Sequence, residues 1–307
     1  MSDMNTNDVT ATLVRDLLRE KRADRRWKNL RFILWFLLII YLLFTLFRQI
    51  GGSQAISVSQ GENGKYVALI RLDGMIAPGR EFSAEEMIPI LKHAFSDKNS
   101  IGVIIDINSP GGTPVQAALI HDAIITFKKK YHKKVIAVGE DMLTSGAYYV
   151  AVSADKIYVN PNTITGSIGV IMKGFGFVDL MKKVGIERRV YTVGNDKDRL
   201  DPFLPQSPAD VQKIQQVMSE VHQNFVDAVL EGRKGKLRAD PSILFTGDFW
   251  SGQAALKLGL VDGLGNLMGI LEKEFKTSTF KEFDGTPNIF RLLGGQINSA
   301  LDNMVYN

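Results

Sequence analysis

A chain of 307 residues, 45% of them hydrophobic and 23% charged, can bury one sizeable core or two small ones and is not disordered throughout. Its net charge of +4 is small, with much of the positive excess near the N-terminus, which argues against a nucleic-acid-binding face. There is no cysteine, and the four histidines (His93, His121, His132 and His222) are not at metal-ligand spacing; disulfides, thiolate chemistry and a histidine metal centre are set aside.

In chain order, residues 1–29 form a basic tail in which Lys21, Arg22, Arg25, Arg26 and Lys28 crowd together. Arg31 and Arg48 then bracket an uninterrupted apolar run of about sixteen residues. At ~1.5 Å per residue the run is slightly short of a ~30 Å hydrocarbon core, but Leu30 and Ile50 extend it and flanking arginines can snorkel. A transmembrane helix over 30–50 is expected, acting as a signal anchor. The excess of positive charge before it places 1–29 in the cytoplasm and the rest across the membrane. The small-x-small Ser53-Gln54-Ala55 is compatible with cleavage, yet the region before the run is too long for an ordinary signal peptide.

Residues 51–65 read as a Gly/Ser-rich linker. Beyond it, expected strands (Tyr66–Leu72, Gly102–Ile107, Val135–Gly139, Lys156–Val159, Arg189–Val193) alternate with expected helices at Ser83–Phe95, Pro114–Lys129 and Ser145–Ala154. Further helices are expected at Pro208–Glu231 and around Ser251–Lys257. The alternation predicts an α/β layer fold with a mostly parallel sheet over 66–275. Residues 276–307 are polar with weak periodicity and read as a loosely held tail.

Three features carry chemistry. In Asp106–Pro114, "DINSPGGTP", a strand ends and Gly111-Gly112 turns the chain before a helix; exposed N–H groups there suit a developing oxyanion, or the turn is merely glycine-rich. Ser145 in "EDMLTSGAYYV" stands where a helix begins, as a cap or as a nucleophile. A nucleophile needs a base. His222 lies in a long charged amphipathic segment that suggests a surface or core-edge role, and His121 lies on the helix after the Gly-Gly turn. Lys197, in "TVGNDKDRLDPFLP", lies in a loop without a hydrophobic pattern, where a solvated surface lysine is the ordinary expectation.

Taken in order across about 66–272, "INSPGG", "TSGAYYVAVSADKIYVNPNTITGSIGV", "GNDKD" and "FTGDFWSGQAALKLGLVDGLG" resemble the bacterial signal peptide peptidase A family of membrane-anchored Ser/Lys proteases, in its short form with one span and a single catalytic domain. The resemblance implies a Clp protease/crotonase-like layered fold. It makes Ser145 the nucleophile, Lys197 the general base and Ser167 the serine that orients the lysine amine, with the backbone N–H groups of Gly112 and Gly146 as the oxyanion hole. It also implies a homo-oligomeric ring whose dyad is shared between protomers, peptide substrates such as released signal peptides, and neither cofactor nor metal. The expected location is the cytoplasmic membrane, with the catalytic domain on the periplasmic or extracytoplasmic side.

A free lysine titrates near ~10.4, so a lysine base working near neutral pH needs burial in an apolar site. Asp196 and Asp198 would oppose that, and both are expected to point away from the amine, to cap backbone or to pair with Arg199. Met142, Leu143 and Gly111–Val115 are expected near the substrate. Two rival readings remain: an inactive membrane-bound scaffold of the same fold, and a crotonase-type acyl-CoA enzyme, which the external placement of the domain disfavours.

Overall fold

The computed structural model describes residues 64–284, together with Trp27, Lys28, Arg31, Phe32 and Leu34–Leu42. The chain divides into two units, 1–57 and 58–307. The described residues of the first are helical, with Arg31 over the Trp27 ring and Phe32 stacked on Phe36. No helix among the described residues is long and apolar enough to cross a membrane. The expected span over 30–50 lies partly outside the described residues, as do the linker through residue 63 and the tail from 285.

The second unit is a layered α/β structure. Its strands are β1 (Tyr66–Asp73), β2 (Ser100–Ser109), β3 (Lys134–Thr144), β4 (Lys156–Val159), β5 (Ile164–Gly166), β6 (Phe249–Ser251), β7 (Gly263–Leu264) and β8 (Phe280–Glu282). The main path runs β6-β5-β3-β2-β1-β8, with β4 joining β3 to β7. Every described pairing is parallel except β5 with β6. β1 to β3 are near-continuous apolar runs because helices cover both faces of a parallel sheet.

One face packs against α1 (Ala84–Ser96), α2 (Pro114–Tyr131), α3 (Gly146–Ala151) and the C-terminal part of α5 (Pro208–Gly232). α4 (Val178–Val184) lies between α3 and α5 in the chain and buries nothing. After α5 come α6 (Pro241–Leu244) and α7 (Gly252–Leu258). The other face is covered by α8 (Leu267–Phe275), whose Ile270 and Leu271 pack on Val67, Leu69, Ile104, Ile136 and Val138. Glu274 anchors that helix through Lys134 (2.5 Å), Lys156 (2.9 Å) and the Tyr158 hydroxyl. Burial would raise its carboxyl, but the hydrogen bonds from Lys134, Tyr158 and Lys156 prevail and hold it at about 2.

Two regions depart from the expectation. Arg189–Val193 forms no strand, although its β-branched and aromatic residues suit one. No described strand edge reaches it, and Tyr191 and Val193 are 92% and 99% exposed. Conversely, part of the expected tail is structured: Phe280–Glu282 extends the sheet beside β1, and Phe283 is buried against Tyr66 and His93. The strand is only three residues long, too short to stand out in the sequence. The helix expected at Ser145–Ala154 is shorter, Gly146–Ala151.

β3 changes partner along its length. Ile136–Gly139 pairs with β4, and Met142–Thr144 pairs with β5. Against β2 the register jumps from Ile107↔Gly139 to Ser109↔Leu143, and the Met142 N–H donates to Asn108 Oδ1 (3.2 Å) in place of a ladder bond. The bulge sets Glu140 beside buried Asp106, whose Oδ2 takes Arg71 at 2.6 Å. Burial and the Glu140 charge push the Asp106 carboxyl up to about 7, against the pull of Arg71.

Candidate active site

β3 ends at Thr144 and α3 begins at Gly146, so Ser145 makes the whole turn between them. It does so at φ 52°, ψ −126°, where a non-glycine residue is strained. Neighbouring backbone holds it there: the Ser145 N–H donates to the Gly166 carbonyl (2.8 Å), and its carbonyl accepts from the Tyr149 N–H (3.0 Å). Although Ser145 occupies the cap position, its side chain makes no capping bond. The strain therefore presents the hydroxyl rather than satisfying the helix end. Behind it, Tyr148 is fully buried and donates its hydroxyl to the Leu260 carbonyl (2.7 Å).

The Gly-Gly turn lies directly on this junction. A Cβ at Gly111, at φ 96°, would come within 2.8 Å of Ser145 Cβ and 2.7 Å of the Gly146 nitrogen, so only glycine fits. Gly112 is bridged to Ile76: the Ile76 N–H donates to the Gly111 carbonyl (2.9 Å) and the Thr113 N–H to the Ile76 carbonyl (2.8 Å). Those bonds bypass the Gly112 N–H. The Gly146 N–H, at the first position of α3, is one of the helix's orphan donors. The two are neighbours, since a Cβ on Gly146 would sit 3.3 Å from the Gly112 nitrogen. Two neighbouring N–H groups beside a serine hydroxyl that makes no capping bond suit attack on a carbonyl and stabilisation of the resulting oxyanion.

Ser145 and Ser167 line one open cavity of about 670 Å³ with His222, Ile171, Met218 and Phe245. Ser167 also has positive φ (51°), and its N–H donates to the Asp248 carbonyl (2.7 Å). This is what the "FTGDFW" stretch does: it runs antiparallel to β5 and sets Trp250 against Gly166. Lys197 does not line the cavity; it is exposed, in a loop where Asp196 pairs with Arg199 at 2.9 Å. His121 packs edge-on to Tyr149 and faces Asp122. Met142, Leu143 and Gly111–Val115 are not among the residues lining this cavity, and Leu143 belongs to the core. Sequence reasoning missed the placement of His222 here, and its midpoint position on a 25-residue helix gave little signal for it.

Such a site on a parallel α/β sheet is that of an acyl-transfer hydrolase with a serine nucleophile. The comparisons narrow the class. The family model described as Peptidase family S49 matches residues 127–279, which include Ser145, Ser167 and Lys197. A putative protease slr0021 of Synechocystis is 32% identical over 257 residues, covering 78% of this chain and 88% of that protein. A putative signal peptide peptidase SppA of Enterococcus faecium is 30% identical over 231 residues, covering 72% and 67%. A 214-residue match at 43% identity, covering 68% of this chain, is to a Brucella melitensis protein named as a Na(+)/H(+) antiporter NhaA, of whose length the chain spans 29%. A solved membrane-bound stomatin-specific protease aligns loosely, with a TM-score of 0.43 and 14% identity over 68% of this chain and 84% of its own. The chain belongs to peptidase family S49, the signal peptide peptidase A family of serine proteases.

Proposed function

We propose that the protein is a membrane-anchored serine endopeptidase that hydrolyses hydrophobic peptides, such as released signal peptides, outside the cytoplasmic membrane. Its base is Lys197 of a neighbouring copy. One observation carries this reading: Ser145 and Ser167 share a cavity that Lys197 of the same chain does not line. From 170 to 207 no residue is buried, and Phe175, Tyr191 and Val193 are 82%, 92% and 99% exposed. Exposed large apolar side chains of this kind suit cover by another protomer, which would also desolvate the lysine.

In the assembled site, Ser145 Oγ attacks the scissile carbonyl as the neutral lysine Nζ takes its proton. The Gly112 and Gly146 N–H groups hold the oxyanion, and Ser167 orients the amine. The lysine ammonium then returns the proton to the leaving amine. Water, deprotonated by the same lysine, hydrolyses the Ser145 ester and restores the hydroxyl.

The test uses assembled wild type, Ser145→Ala, Lys197→Ala, and the two variants dissociated, mixed and reassembled, assayed on a fluorogenic hydrophobic peptide. Each variant alone is expected to lose at least ~10³-fold in kcat/KM. The mixture regains up to about a quarter of wild-type activity, since about one interface in four unites an intact serine with an intact lysine. Activity in Lys197→Ala sinks the dyad; a mixture that stays silent sinks its sharing between protomers.

A further inference from the structure

Among the residues lining the Ser145 cavity, His222 is the single titratable side chain. Its Nε2 lies 3.3 Å from the carbonyl oxygen of Ile168, the residue after Ser167. A carbonyl only accepts, so Nε2 carries the hydrogen and donates it. Ser167 is thus held on both sides: its own N–H bonds the Asp248 carbonyl (2.7 Å), and the next carbonyl is held by the imidazole from α5. A non-glycine residue at φ 51° persists only where its surroundings fix it. His222 is one of those fixtures, reaching across 54 residues of chain.

The strand–helix junction, the loop after Ser167, α5 and the loop at 245–247 line the cavity with hydroxyls, an amide and apolar side chains, none of them a carboxylate. The nearest acids in sequence are engaged elsewhere: Glu220 accepts from Gln216 and Asp248 from the Phe249 N–H.

We infer that His222 is a positioning residue of the active site, holding the Ser167 segment in place for the incoming lysine through its hydrogen bond to the Ile168 carbonyl. The inference rests on the Ser/Lys dyad proposed above. It assigns His222 no proton transfer with substrate.

The experiment measures kcat and KM from pH 5 to 9 for assembled wild type, His222→Gln, His222→Ala and Lys197→Ala, with oligomeric state checked by light scattering at each pH. Gln keeps an N–H donor for the Ile168 carbonyl but cannot ionise. Above pH 8, His222→Gln stays within about threefold of wild type, whereas His222→Ala loses about tenfold to a hundredfold, mostly in kcat, because Ser167 is misplaced. A loss in His222→Gln as large as that in His222→Ala, a His222→Ala loss that falls mostly on KM, or full activity in His222→Ala overturns the inference. Activity that survives Lys197→Ala but vanishes in both His222 variants would make the imidazole the base, overturning this inference and the dyad together. An inactive Lys197→Ala beside unaltered His222 variants overturns this inference alone.

Discussion

The two halves of the proposed dyad sit in regions built in opposite ways. Around Ser145 nearly every neighbour is buried and the Ser145 backbone is held at both its N–H and its carbonyl, with Tyr148 fixed on Leu260 behind it. Around Lys197 nothing is buried; 170–207 is held by local contacts, such as Phe177 stacked on Phe203 and Arg188 paired with Asp201 at 2.8 Å. The nucleophile side is complete within one chain. The lysine side is folded but uncovered, as the proposed sharing of the dyad between copies requires.

Predictions follow from pressing on each side. The largest effect belongs to the packed side, where buried Arg233 donates to Asp262 (2.5 Å) and to the Gly259 carbonyl (2.7 and 3.1 Å), bracing the Leu260 backbone that receives Tyr148. Asp262→Ala strands that guanidinium and is expected to cost about 3–5 kcal/mol in chemical denaturation. An unchanged denaturation midpoint would show that the brace is not structural. Gly111→Ala forces a Cβ onto Ser145 at positive φ, for about 1–3 kcal/mol of stability and a heavy loss of kcat. Equal loss of both in a distant control, Gly79→Ala, would break that assignment.

A third prediction concerns pH. The Asp106 carboxyl is raised in the fold, so its contribution to stability is complete below about pH 4 and is lost as pH climbs through about 7. Asp106→Asn keeps an acceptor for Arg71 and a donor for Glu140. It should flatten the decline in Tm between pH 4 and 7 and raise Tm by a few degrees at pH 8; parallel curves for wild type and variant would refute it. The smallest stability effect is expected on the open side. Tyr191→Ser with Val193→Ser should change protomer stability by no more than about 0.5 kcal/mol while abolishing assembly and activity, read by light scattering and peptide cleavage. Retained assembly would mean that another surface joins the copies.

The contrast also explains what was legible in the sequence. β1, β2 and β3 were readable because parallel strands buried on both faces are unbroken apolar runs. Arg189–Val193 carries the same residue types, yet strand propensity is only fitness for a sheet surface, and no described strand offers one. β5, β6 and β7 were not read because they are two or three residues long and defined by their partners. In the site, the Gly-Gly turn and Ser145 could be picked out locally. The Arg233–Asp262 brace and the His222–Ile168 bond join residues 29 and 54 positions apart, so no local pattern announces them.

The backbone at Ser145 has a further consequence, for which alcohol can stand there. At positive φ a β-branched side chain crowds its own carbonyls, so threonine, chemically a close substitute for serine, is excluded by shape before reactivity is considered. The tight turn from β3 into α3 is in this sense a filter on the genetic code. Of the two aliphatic hydroxyls that translation offers, it admits the one whose Cβ carries a single heavy atom.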